Sequence, residues 1–113
     1  MPARPDPLPD PMLATLVADP FDNPAWAFEP KYDGLRVLAR FDGRGVELMS
    51  RNRASQNGPF PDVVEALRAA LRKPVVVDGE VVCLDGHGRS SFRALQQRFH
   101  LKDAAAIAGR VRD

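Results

Sequence analysis

The sequence predicts an α+β domain in which antiparallel strands are flanked by helices. Three patterns lead there. Apolar and polar residues alternate on both sides of Asp42-Gly43-Arg44-Gly45, a strong hairpin signal. Apolar residues recur at helical spacing in Pro61–Leu71 and again in Ser91–Leu101. Between those helices, Val75 to Leu84 is an apolar run broken only by Asp78-Gly79-Glu80, which reads as a buried strand.

Taken in order, residues 1–24 hold seven of the eleven prolines and cannot form a regular helix or a central strand. They are expected to be an extended lead-in, with Leu13, Leu16 and Val17 as its anchors. The folded part is expected over 25–113. Its β pattern begins at Ala25-Trp26-Ala27-Phe28-Glu29, leads past Lys31, and continues with Leu35, Val37, Ala39 and Phe41 on one side of a strand. Val46 to Ser50 returns, and Arg51 to Pro59 is a polar loop rich in turn residues. Pro61 and Asp62 suit the first turn of a helix, where a missing N–H costs nothing and the dipole favours a carboxylate. Asp85-Gly86-His87-Gly88-Arg89 is a turn, Phe92, Leu95 and Phe99 share a helical stripe, and an alanine-rich helix closes the chain at Asp103–Val111.

Composition narrows the class. The 113 residues make one domain at most, with an ordinary 44% hydrophobic and 27% charged content. No apolar run could span a membrane and no signal-peptide pattern is present, so a cytoplasmic location without membrane partners is the expectation. Cys83 is alone and has no internal disulfide partner. A net charge of +1 is not that of a strongly basic nucleic-acid module, so contact with nucleic acid would rest on local clusters.

The chemistry concentrates in Glu29-Pro30-Lys31-Tyr32-Asp33-Gly34-Leu35-Arg36. Lysine becomes a nucleophile when nearby cations or desolvation depress its pKa. Carboxylates, a glycine and an arginine beside it are the types expected around a nucleotide. A bland alternative stands: a turn at Asp33-Gly34 with a solvated lysine and arginine. Tyr32 reads as a packing residue, and Asp33 either orients neighbours or makes the turn. Glu80 is harder to dismiss, because a buried carboxylate flanked by valines is usually paired, metal-bound or catalytic. His87 and His100 lack metal-ligand spacing with Cys83.

These residues carry a resemblance. The octapeptide resembles the adenylation motif of ATP-dependent DNA ligases, part of the nucleotidyltransferase superfamily that includes RNA ligases and mRNA capping enzymes. Ser50-Arg51-Asn52 is similar to that family's second motif and Val77-Asp78-Gly79-Glu80-Val81-Val82 to its third. Ser91-Phe92-Arg93-Ala94-Leu95-Gln96-Gln97-Arg98 is similar to the helix that follows in bacterial ligases of the end-joining type, which favours a DNA ligase over an RNA ligase or capping enzyme. The resemblance spans about residues 12–101.

What it implies is a partial ATP-grasp-like nucleotidyltransferase domain. Lys31 would attack the α-phosphate of ATP and carry AMP, with Glu29 beside the adenine amino group. Arg36 and Arg51 would contact ribose or the terminal phosphates of nicked double-stranded DNA. Glu80 would serve the ribose or a divalent metal, Mg²⁺ or Mn²⁺. Family adenylation domains continue with an aromatic that stacks on adenine, a glutamate motif and a lysine motif, then an oligonucleotide-binding barrel. This sequence stops at Asp113 before them. The expectation is therefore the truncated N-terminal part of an adenylation domain over 25–113, not competent alone to seal a nick. A non-catalytic remnant that binds nucleotide or a partner is the alternative.

Overall fold

The computed structural model describes residues 8–99. The expected helix over Asp103–Val111, the end of the preceding helix at Leu101, and His100 lie outside them. Among the described residues five elements follow one another: β1 Leu35–Phe41, β2 Val46–Ser50, α1 Pro61–Ala70, β3 Val75–Val81 and α2 Phe92–Phe99. The strands form one antiparallel sheet in the order β2-β1-β3. The α+β expectation of antiparallel strands with helices is met at this level.

The hairpin forms where the turn residues put it. Asp42 Oδ1 accepts the Arg44 and Gly45 N–H groups at 2.8 and 2.9 Å, and Gly43 takes a φ of 99°, which glycine adopts without strain. Those N–H bonds hold the Asp42 carboxyl below its usual range. The register pairs Ala39 with Leu48 and Phe41 with Val46, so Val37, Ala39, Phe41, Val46 and Leu48 share one face. Phe60 and Leu95 close over that face, and the seven residues form the buried core. Val63, Val64, Leu67 and Leu71 line its edge. The outer edge of β2 is covered by the polar loop after it. Asn57 donates to Val46 O and accepts from Leu48 N, standing in for a further strand.

Three expectations need correction. Ala25–Glu29 forms no strand: Pro24 and Pro30 bracket it, and Phe21, Trp26 and Phe28 instead meet edge to face on the surface. The run over β3 is not buried. Val75, Val76 and Val77 are 40%, 42% and 38% exposed, because among the described residues β3 is the sheet edge and α1 packs on β2. The lead-in is not anchored by Leu13, Leu16 and Val17, which are 61%, 98% and 58% exposed. Its anchor is Leu8. Leu8 and Leu38 are both buried yet stand apart from the main core, Leu38 pointing from the opposite face of the sheet.

Candidate active site

One end of the sheet gathers most of the residues singled out by sequence. Arg36 lies directly opposite Glu80 in the β1–β3 register, and Ser50, the residue before Arg51, lies opposite Val37. The segment carrying Lys31 enters β1 at this same end. Arg36, Leu38 and Arg40 share a face with Glu80 and Asp78 on one side and with Glu47 and Met49 on the other. The sheet therefore has an apolar face that makes the core and a charged face that carries the candidate residues Arg36 and Glu80.

Arg36 is fixed there from two directions. Its Nε and Nη2 donate to the two oxygens of Asp78 at 3.1 and 2.6 Å, a fork that only a guanidinium can present. Its Nη1 donates to the carbonyl of Met12. The hydrogen bond to Asp78 holds the guanidinium further toward its charged form, and the Asp78 carboxyl sits below its usual range for the reciprocal reason. Asp78 is not among the residues that the sequence marks as candidates for the site. β3 runs unbroken through Asp78-Gly79, and Asp78 lies on the same face as Glu80 two residues on. Period-two counting was the signal that could have found it.

Lys31 lies in solvent. Its side chain is 91% exposed, and its ion pair is with the Asp33 carboxylate at 3.6 Å. Arg36 is engaged by Asp78 and Met12, while Arg51 is exposed and makes no polar contact with any described residue. Glu29 and Glu80 are likewise exposed, so the expectation that Glu80 is buried does not hold. Tyr32 is 54% exposed and packs no core. Asp33 donates its backbone N–H to Ser90 Oγ at 2.9 Å. Gly34 is required for contact within the protein itself. A Cβ there would fall 2.1 Å from Val81 O and 2.8 Å from a Val82 methyl.

The turn at Arg51-Asn52-Arg53 closes with Arg53 N–H donating to Ser50 O, and Arg53 takes a φ of 61°. Arg53 is a residue the sequence reading passed over. It pairs with Asp10 at 2.5 Å and donates to Leu8 O, so residues 8–12 cross the charged face between Arg53 and Arg36.

For a divalent cation, no cluster of three or more His, Cys, Asp or Glu side chains exists among the described residues. Asp78 is committed to Arg36, which leaves Glu80 as a single open carboxylate on this face. That fits Mg²⁺, which commonly takes one or two carboxylates and completes its shell with water and substrate phosphates.

Comparison with known proteins gives a consistent answer. The family described as the ATP dependent DNA ligase domain matches residues 11–112. DNA ligase C of Mycobacterium tuberculosis is 45% identical over 91 residues, covering 80% of this chain and 24% of that protein. The bifunctional non-homologous end joining protein LigD of Bacillus subtilis is 35% identical over 96 residues, covering 80% and 16%. The solved structure of mycobacterial DNA ligase D complexed with ATP and MES matches with a TM-score of 0.57 at 34% identity, over 62% of this chain and 23% of that one. The ligase domain of M. tuberculosis LigD matches with a TM-score of 0.52 at 36% identity over the same shares. The chain thus spans about a quarter or less of these relatives. No helix among the described residues is long and apolar enough to cross a membrane.

Proposed function

The chain belongs to the ATP-dependent DNA ligase family, and from that premise we propose that it supplies the nucleotide-capturing part of a DNA ligase adenylation domain. The observation that carries the reading is the convergence at one sheet end. Arg36 lies opposite Glu80, Arg51 follows the partner of Val37, and the Lys31 segment leads into β1 at the same end; in this reading one nucleotide spans them. In this reading the sheet is one part of an ATP-grasp-like nucleotidyltransferase fold, with 1–24 as the lead-in and 25–113 as the domain segment.

Lys31, as the free amine, forms a bond to the α-phosphorus of ATP. The bond from that phosphorus to the bridging oxygen breaks, pyrophosphate leaves, and the proton shed by the nitrogen goes to solvent. Arg36, oriented by Asp78, faces the ribose or phosphates, and Arg51 adds positive charge from the turn after β2. Glu29 addresses the adenine amino group. Glu80 contributes an oxygen to the ribose or to Mg²⁺ or Mn²⁺, which when bound offsets the charge that builds on the phosphates. The AMP carried by Lys31 then passes to the 5′-phosphate of nicked double-stranded DNA, and the 3′-hydroxyl displaces it to seal the strand.

The test is adduct formation. The chain is incubated with ATP and Mg²⁺ or Mn²⁺, and the intact mass and the Lys31 peptide are followed by mass spectrometry. AMP on Lys31 in the parent, and none in Lys31→Ala, is the expected result. Nucleotide bound without transfer would favour the non-catalytic alternative, which the solvent-exposed Lys31 also favours. AMP appearing on a residue other than Lys31 would overturn the site.

A further inference from the structure

We infer that Ser90 is a positioning residue for the nucleophile, a role that rests on the reading of Lys31 above. Residues 29–33 are exposed and form no regular element. Among the described residues, the hydrogen bond from Asp33 N–H to Ser90 Oγ is the one polar contact they make outside their own segment. The Lys31 ion pair with Asp33 is internal and restrains nothing against the sheet. Without Ser90, the segment is held only where Gly34 meets Val81 at the start of β1.

Ser90 is a firm post because its surroundings are bonded back to the core. Asp85 Oδ1 accepts the His87 and Arg89 N–H groups at 2.8 and 3.0 Å, which shapes the turn. Leu84 and Ser90 form an antiparallel bridge, and Ser91 N–H donates to Cys83 O at 2.7 Å. Ser91 Oγ accepts the Ala94 N–H at the start of α2, and Leu95, one residue on, is 2% exposed in the core. A continuous path therefore runs from the core through α2 and Ser90 to a backbone amide two residues from Lys31. Placement of a nucleophile within a few tenths of an ångström governs its rate. A post that removes freedom from an otherwise free segment acts on that step.

The experiment pairs two readouts in the full chain carrying Ser90→Ala or Ser90→Thr. Amide hydrogen exchange at Asp33 reads the tether, and the rate of AMP transfer to Lys31 at saturating ATP reads its consequence. Loss of one hydrogen bond of ordinary strength predicts about fivefold faster exchange at Asp33 in Ser90→Ala. The β1–β2 ladder amides keep parental exchange. Transfer at saturating ATP falls by a similar factor with KM for ATP unchanged, and Ser90→Thr restores both. Parental exchange at Asp33 in Ser90→Ala overturns the tether. Faster exchange with an unchanged transfer rate overturns the positioning role. If the parent forms no adduct, the proposed function fails. The Asp33 amide still decides whether Ser90 holds the segment.

Discussion

Arg98→Met should be among the most damaging single changes away from the apolar core. The Arg98 guanidinium donates from Nε to Pro59 O at 3.0 Å and from Nη1 and Nη2 to the two oxygens of Asp62. It also lies over the Phe60 ring, 5.1 Å from its centroid. One side chain of α2 thus grips the loop before α1, the first turn of α1 and the aromatic that plugs the core. Its side chain is only 16% exposed, so these contacts are partly shielded from water. A charge-assisted bond to a carbonyl is worth about 1.5 kcal/mol at the low end of its range. The cation–π contact adds about 0.5–1 kcal/mol, and the partly shielded ion pair about 0.5–1 kcal/mol. These terms share one group and do not add fully, and methionine keeps much of the stem's packing, so the expected loss is about 2–3 kcal/mol. Urea unfolding followed by far-UV circular dichroism measures it. With a slope of about 1 kcal/mol/M for so small a chain, the midpoint falls by about 2–3 M, or the variant is unfolded at the outset. Arg98→Lys should recover part of this, because an ammonium cannot serve the carbonyl and both carboxylate oxygens at once. A midpoint for Arg98→Met within about 0.5 M of the parent would refute the grip.

Further outcomes follow from the same contacts. Burial pushes the Asp62 carboxyl up, but the hydrogen bond and charge of Arg98 outweigh it, and the net position is below the usual range. Stability from this pair is therefore present above about pH 4, the ordinary aspartate value, and is lost as pH falls through the lower folded value. Acid unfolding curves should show that loss in the parent and a shallower one in Arg98→Met. Gly34→Ala should push β1 from β3 at the Arg36–Glu80 end, costing about 1–3 kcal/mol by overpacking against backbone. Faster amide exchange at Val81 and Val82 with parental exchange in β2 would locate the damage. Leu8→Ala should cost about 2 kcal/mol in urea unfolding, whereas Leu16→Ala should stay within about 0.5 kcal/mol. Lys31→Ala should remove the AMP adduct yet leave the unfolding midpoint in place, since the side chain packs against nothing.

The pattern of local signals was enough for the elements that local physics governs. Asp42-Gly43 closes a turn through its own side chain, and the alternation on either side of it selects the face that Val37, Ala39, Phe41 and Leu48 bury. Pro61 and Asp62 start α1 for reasons contained in one helical turn. The motif residues Lys31, Arg36, Arg51 and Glu80 can be picked out as candidates, because residue type and order carry the motifs. Burial and partnership were not legible in the same way. The Val75–Val77 run is apolar enough for a buried strand, but only the strand order makes it an edge that neither helix covers. Leu8 and Leu16 look alike as side chains in a proline-rich stretch. Leu8 is buried because Arg53 and Arg36 hold residues 8–12 across the sheet, which no local pattern records.

What the sequence by itself determined is the strand–turn–strand pairing, the helix starts and the roster of chemical groups, each settled within a few residues. The tertiary structure alone decided which of those groups meet. It matched Arg36 with Asp78, a partner no local pattern indicated, and it hung the Lys31 segment on Ser90, 57 residues from Asp33. Such partnerships depend on strand register and on where a distant turn lands. Both are set by the burial of the whole apolar face, not by any one stretch of chain.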